Sequence, residues 1–440
     1  MALFGTDGVR GLANRDLTAE LALDLAVAAA HILGEAGAFK GHRPKAIVGQ
    51  DSRASGEFLE AAVIAGLASA GVDVYLVGVL PTPAIAFLVA ESGADLGVMI
   101  SASHNPMPDN GIKFFSKGGG KLDDQLESLI EARMGEDWER PTGLDVGRVI
   151  QDQSAAERYL FHLMSSLEKP LSGMKVVVDC ANGASSEVAP EAYRRAGAEV
   201  TAISNTPTGW NINDNCGSTH LKNLIEQVKL QGADLGIAHD GDADRCLAID
   251  SNGEVIDGDY ILAILAAHWK VSTVVATVMS NLGFFKAMEK LGIKVETTTV
   301  GDRYVLEAML AKDHSLGGEQ SGHVIMRKFA NTGDGVLTAL QLMRCISESG
   351  KSLSELAEVM NRYPQVLINV KGVRKDSLAD SKLINEQIES AQQVLVGRGR
   401  ILVRASGTES LVRVMVEAES FAEADEIAGK LAEIVRSELS

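Results

Sequence analysis

The sequence predicts an α/β protein: three related α/β domains with mixed, mostly parallel sheets, followed by a small C-terminal α+β domain, with the active site in the central cleft. Three observations carry this expectation. At 440 residues the chain is too long for one ordinary core, since domains typically take roughly 100–200 residues. Short β-branched runs recur at residues 45–51, 175–183 and 272–281; each breaks into polar residues and is followed by an Ala- and Leu-rich helical stretch. Beyond Pro364 the pattern changes to strand 365–370, helix 380–394, strands 400–404 and 411–417, and helix 422–436.

Turn-rich segments near 135–141 and 251–253, and the break after Pro364, divide the chain into 1–150, 151–254, 255–364 and 365–440. With 46% apolar and 23% charged residues, disorder, collagen and coiled coil are excluded as the main architecture. No apolar run approaches the roughly 18–20 residues of a membrane span, so no membrane association is expected. Asp7 stands where a signal peptide would be apolar. The four cysteines (Cys180, Cys216, Cys246 and Cys345) are isolated, and a reducing cytoplasm fits them. A net charge of −18 argues against nucleic acid as a partner but leaves room for small anionic ligands.

Four loops carry the chemistry. Residues 100–106, Ile-Ser-Ala-Ser-His-Asn-Pro, follow an apolar strand, where open α/β sheets bind ligands. Ser103 is a candidate nucleophile with His104 and Lys113 near in sequence, and a turn with a capping serine is the alternative. Asp240, Asp242 and Asp244 alternate after a second apolar strand. Two such charges about 4–5 Å apart repel by around 3–4 kcal/mol at an effective dielectric near 20, so a divalent cation held by hard oxygens suits them. An EF-hand is excluded, because its sixth and twelfth positions would be Arg245 and Ser251.

The third loop, residues 317–323, is Gly-Gly-Glu-Gln-Ser-Gly-His, with a further Gly-Asp-Gly at 333–335. An extended loop would present Glu319, Ser321 and His323 on one side, ready to bond sugar hydroxyls; a turn with a capping glutamate is the alternative. The fourth places Arg404, Ser406, Gly407 and Thr408 between two strands, with Arg413 following, a backbone nest suited to phosphate rather than a Walker A loop. Together the four loops describe phosphoryl transfer on a phosphorylated sugar.

In this order, and with Phe-Gly-Thr-Asp-Gly-Val-Arg-Gly at 4–11 and Val-Gly-Asp-Arg-Tyr at 300–304, the loops resemble the α-D-phosphohexomutase superfamily over nearly the whole chain. The similarity is greatest to bacterial members acting on hexosamine phosphates; hexose-preferring members typically carry Met where this chain has Gln320.

The resemblance implies that Ser103 carries a phosphoryl group, with Ser103, Asp240, Asp242 and Asp244 holding Mg²⁺. Glucosamine 6-phosphate would then become glucosamine 1-phosphate by way of a 1,6-bisphosphate, on the route to UDP-N-acetylglucosamine and cell wall. Glucosamine 1,6-bisphosphate or glucose 1,6-bisphosphate would serve as primer. It further implies Lys113 for proton transfer with His323 assisting, Arg245 and Arg10 for the transferring phosphoryl, and Glu319, Ser321 and Asp302 for the sugar. Arg404, Ser406, Gly407, Thr408 and Arg413 would hold the other phosphate. Ala243 departs from the Gly often seen in the metal loop, and Ser410 from a frequent Pro. The readings left open are a glucose or mannose phosphate mutase, an aspartate-dependent phosphatase using Asp240, and a sugar-phosphate sensor. The oligomeric state is also open, a homodimer included.

Overall fold

Parallel strands covered by helices on both faces have no solvent side, and their sequences read as unbroken apolar runs. That is what the computed structural model shows, describing residues 3–5, 8–39, 41–406 and 411–440. Strand Leu96–Ile100 is buried at every position, and Lys45–Gln50 is buried at all but its ends. They belong to a seven-stranded sheet in the order Phe4–Gly5, Gly8–Leu12, Asp109–Ser116, Leu96–Ile100, Lys45–Gln50, Asp73–Val79, Val149–Gln151. The pairs among Leu96–Ile100, Lys45–Gln50, Asp73–Val79 and Val149–Gln151 run parallel. The remaining pairs run antiparallel, making the sheet mixed. Helices Ala19–Glu35 and Gly56–Ser69 pack with this sheet around Leu25, Leu59, Leu67, Val98 and Ile112. Each large aliphatic side chain buried this way stabilises the fold by about 1.5–3 kcal/mol.

The second sheet is five-stranded, in the order Val255–Ile256, Leu247–Asp250, Leu235–Ala238, Lys175–Asp179, Glu199–Ile203. The third has four strands, in the order Lys294–Thr298, Thr273–Thr277, Leu316–Gly318, Val324–Met326. In both, a parallel centre carries an antiparallel edge. The fourth sheet is wholly antiparallel, in the order Gln365–Lys371, Leu411–Glu417, Arg400–Ala405, and is covered by helices Lys382–Val394 and Phe421–Leu439. The first of those helices begins two residues later than the sequence suggests, because the Ser381 hydroxyl accepts from the Ile384 N–H and caps it.

By its contacts the chain forms two compact units. One comprises Met1–Val278 and Lys294–Ala357 and contains the first three sheets; the other comprises Met279–Ile293 and Glu358–Ser440. In the second unit Asn281 caps helix Leu282–Leu291 and donates to the Tyr363 carbonyl (3.0 Å) and to Glu417 (3.1 Å). Among the described residues, no helix is long and apolar enough to cross a membrane.

Within the first unit, the segment after strand Asp109–Ser116 is tied to the helix that follows the third sheet's edge strand. Arg303, in the first turn of helix Asp302–Ala311, donates to the Leu122 carbonyl and to Asp124, and lies 3.3 Å from Glu127. Charged hydrogen bonds of this kind contribute about 1.5–3 kcal/mol. Arg303→Leu is expected to lower unfolding stability by about that amount in urea titrations; an unchanged midpoint would show that the tie contributes nothing.

Candidate active site

The candidate loops follow the carboxyl ends of strands Leu96–Ile100, Leu235–Ala238, Leu316–Gly318 and Arg400–Ala405, one in each of the four sheets. Strands Leu96–Ile100 and Asp109–Ser116 form a hairpin whose tip carries Ser103 and whose return places Lys113 opposite Met99. Ser103 is buried and left-handed at φ +52°, a conformation that costs a residue with a Cβ about 1–2 kcal/mol. Its Oγ donates to Asp240 Oδ2 at 2.7 Å and lies 3.3 Å from His104 Nδ1. Burial lowers the His104 pKa to about 4, helped by the cations of Arg245 and Arg10, so its ring is neutral at pH 7. Arg10 enters from strand Gly8–Leu12, paired opposite Gly111.

Strand Leu235–Ala238 delivers the acidic loop. Asp240, Asp242 and Asp244 are all buried, each offering an oxygen within 4.8 Å of the others. Asp242 Oδ2 accepts from Lys113 Nζ at 2.7 Å and from Thr82 Oγ1 at 2.6 Å. Asp240 also accepts from the Arg245 N–H at 3.3 Å, and the Arg245 guanidinium lies 3.9 Å from Asp240 and 3.8 Å from Asp244. Burial opposes the Arg245 charge, but the surrounding carboxylates outweigh it and raise its pKa. Asp244 Oδ1 is buried with no hydrogen-bond donor in the described residues. Burial, reinforced by Asp242 and then Asp240, pushes the Asp244 carboxyl up to about 7. Asp240 is raised by burial and Asp242 in the same way. An all-oxygen donor set with an orphaned buried acceptor fits a hard divalent cation.

The loop's tight path has visible causes. Ala243 is left-handed at φ +55°, a conformation that glycine adopts without steric cost. A Cβ on Gly241 would stand 2.5 Å from the Ser103 carbonyl oxygen, so only glycine lets the two loops meet. The buried His239 ring bonds Tyr193 Oη (2.7 Å) and the Arg245 carbonyl (3.0 Å), fixing both ends of the acidic run.

Residues 319–323 form a turn rather than the extended loop the alternation suggests. The Gly322 N–H bonds the Glu319 carbonyl at 3.0 Å, and Gly322 sits at φ +94°. The strand's two-residue period therefore stops at Gly318. Glu319 Oε1 accepts from the Gly301 N–H at 3.0 Å, and Ser321 Oγ is a buried hydroxyl without a partner in the described residues. His323 is buried, with Nε2 3.3 Å from Asp302 Oδ2 and 3.9 Å from Asp244 Oδ2. Asp302 in turn receives Lys121 Nζ at 2.5 Å. Asp302, His323 and Lys121 line one pocket, and His323 links it to Asp244 of the acidic loop.

Thus Ser103, Lys113, the three aspartates, Arg245, Asp302 and His323 form one connected cluster. The fourth loop lies in the second unit. There Arg404 pairs directly opposite Arg413 across antiparallel strands, and Lys375 Nζ donates to the Ser406 carbonyl at 2.8 Å. Burial lowers the Arg404 pKa, and Arg413 lowers it further. Like charges directly across a ladder destabilise it, so this arrangement suits an anionic ligand. Gly407 and Thr408 lie outside the described residues. Thr82, Lys121, Lys375, Asp51, Arg53 and Asn213 do not stand out in the sequence. The only hints there are the polar residues following strand Lys45–Gln50 and the Pro-Thr-Pro around Thr82.

Four family descriptions match the chain: phosphoglucomutase/phosphomannomutase alpha/beta/alpha domain I at residues 1–140, domain II at 157–253, domain III at 257–363 and the C-terminal domain at 367–434. The chain is 59% identical to phosphoglucosamine mutase of Acidothermus cellulolyticus over 99% of its length and 96% of that protein. It is 60% identical to that of Streptomyces griseus over 99% of both. The chain belongs to the α-D-phosphohexomutase superfamily. Its fold matches a phosphoglucomutase/phosphomannomutase family protein from Burkholderia thailandensis with a TM-score of 0.82 and 24% identity, covering 100% of this chain and 98% of that one. Aspergillus fumigatus N-acetylphosphoglucosamine mutase, solved with GlcNAc-6P and magnesium, matches with a TM-score of 0.71 and 19% identity over 100% and 96%.

In this phosphohexomutase the raised Asp244 pKa has a signed consequence. The folded, metal-free chain binds that proton up to about pH 7, whereas the unfolded chain releases it near 4, so Asp244 costs stability as pH rises through that window. Asp244→Asn removes the cost. In EDTA at pH 7.5 the variant is expected to be more stable than the parent by urea titration, the gap closing toward pH 5. Added Mg²⁺ should raise the parent's Tm more than the variant's. A variant no more stable than its parent in EDTA would contradict this.

Proposed function

We propose that the chain is a phosphoglucosamine mutase, interconverting glucosamine 6-phosphate and glucosamine 1-phosphate through a phosphoryl group carried on Ser103. The observation that supports this best is Ser103 Oγ, 2.7 Å from Asp240 within a buried triad ringed by Lys113 and Arg245. The curated relatives bearing that activity's name, at 59–60% identity over nearly the whole chain, support the choice of an amino sugar.

Asp240, Asp242 and Asp244, with Ser103, would hold Mg²⁺, the metal named with the Aspergillus protein. When bound, that ion neutralises charge on the transferring group. The phosphoryl passes from Ser103 Oγ to a sugar hydroxyl oxygen, breaking the serine ester and forming a 1,6-bisphosphate. Lys113, as the neutral amine, takes the hydroxyl proton and passes it to the freed Ser103 Oγ, and Asp242 accepts from the ammonium formed in between. After the bisphosphate turns over within the site, its other phosphoryl passes to Ser103 Oγ, and the Oγ proton goes by way of Lys113 to the sugar oxygen that is released. Arg245 and Arg10 offset the phosphoryl charge, and His323 orders the groups around Asp244 and Asp302. Glu319, Ser321 and Asp302 bond the sugar. Arg404, Ser406, Gly407, Thr408 and Arg413 hold whichever phosphate is not reacting. Glucosamine 1,6-bisphosphate or glucose 1,6-bisphosphate would prime an unphosphorylated chain.

Ser103→Ala is expected to lower turnover with glucosamine 6-phosphate and Mg²⁺ by about a thousandfold or more while the fold persists by circular dichroism. Full activity in that variant would sink the carrier role. Relative kcat/KM for glucosamine, glucose and mannose 6-phosphates tests the sugar. Arg404→Ala is expected to raise KM about 10–100-fold, as for a lost charged hydrogen bond, with a smaller change in kcat. An unaltered KM would remove Arg404 from the phosphate grip.

A further inference from the structure

The backbone of the Ser103 loop is gripped from two sides by groups that do not bond the serine hydroxyl. Arg53, whose side chain is fully buried, donates through Nη2 to the carbonyls of Ser103 (2.8 Å) and Asn105 (3.0 Å), and through Nη1 to that of Pro106 (2.9 Å). Asn213 Nδ2 donates to the same two carbonyls, Ser103 at 2.9 Å and Asn105 at 3.0 Å. Arg53 is itself fixed, its Nε bonding Asp51 Oδ2 at 3.0 Å and its N–H bonding Asp51 Oδ1 at 2.9 Å. The ring closes through Ser101: its hydroxyl donates to Asp51 Oδ2 at 2.6 Å and accepts from the Ser103 N–H at 2.9 Å. Both backbone polar groups of Ser103 are therefore held by one buried network.

The grip has an evident object. Ser103 is left-handed at φ +52°, and such a conformation persists in a residue with a Cβ only where its surroundings over-determine it. That same conformation aims Oγ at Asp240. A relaxed φ would swing the Cα–Cβ bond, and Oγ with it, away from the triad. Asn213 reaches the loop from the second sheet's side, in the segment between strand Glu199–Ile203 and helix Lys222–Gln231. Its neighbour Gly209 accepts from the Ala54 N–H at 3.0 Å. The segment is thus docked beside Arg53 independently of Asn213's own bonds.

We propose that Arg53 and Asn213 are positioning residues for phosphoryl transfer, holding the Ser103 backbone in the conformation that presents Oγ to the acidic loop. The inference rests on Ser103 being the phosphoryl carrier. Two variants test it in the full-length chain. Asn213→Gly removes the two bonds while still allowing Asn213's own φ of +58°. Arg53→Lys keeps a positive charge beside Asp51 but cannot span three carbonyls.

Each protein is loaded with glucose 1,6-bisphosphate, the phosphate is mapped by mass spectrometry, and single-turnover transfer to glucosamine 6-phosphate is followed by rapid quench with Mg²⁺. The transfer constant is expected to fall about 10–100-fold for Asn213→Gly and further for Arg53→Lys, with KM and half-saturating Mg²⁺ within about threefold of the parent. Should Arg53→Lys fail to fold, Asn213→Gly decides alone. A parental transfer constant in Asn213→Gly overturns the proposal, as does a loss confined to KM or melting temperature. If the parent never carries exchangeable phosphate on Ser103, the carrier reading fails first and this proposal falls with it.

Discussion

Three carboxylates held within 4.8 Å of one another, out of water, are the constraint around which the first unit is organised. At that separation each pair repels by about 3–4 kcal/mol at an effective dielectric near 20, so the arrangement survives only with compensation. Lys113 and Thr82 come from the first sheet's side to bond Asp242. Arg245 stands beside Asp240 and Asp244, and His239 fixes the backbone at both ends of the run. Gly241 and Ala243 permit the path that brings the carboxylates together. Few of these features serve the hydrophobic core; they serve the acidic loop.

Much of this is legible in the sequence, and what is not has a physical pattern. Buried parallel strands announce themselves by unbroken β-branched runs, and the loops after them by residue types that a bare turn does not require. Hence Ser103, the aspartates and the Arg404 loop stand out by residue type and position alone. Arg53, Asn213, Thr82 and Lys121 do not, because their significance lies in partners 50 to 181 residues away in the chain. Side chains such as these are common on any surface, and only packing reveals which are buried and paired. The loop at 319–323 misleads for another reason: strand alternation extends one turn too far on paper, past the point where a left-handed Gly322 folds the chain back.

The overall charge of −18 likewise hides what matters locally. Arg10, Lys113, Lys121 and Arg245 gather at or near one cluster in the first unit, and Arg404, Arg413 and Lys375 at another in the second. Net charge speaks to solubility and non-specific association; ligand choice is written in local fields. Each basic patch is confined, so an acidic protein can still offer small anions a favourable local field.

Ser103 is only 1% exposed. A catalyst that holds a phosphoryl group between encounters with substrate must keep that group from two thieves, bulk water and unrelated phosphatases. Attack by water needs an open approach to phosphorus, and a phosphatase needs a flexible loop it can draw into its own cleft. In the role proposed for it, a serine sunk in a hairpin tip whose carbonyls are bolted down gives a phosphatase no loop to draw out and leaves only the substrate's own approach open. As the proposed carrier, Ser103 would thus owe the persistence of its ester, a kind of chemical memory, to the geometry that holds it.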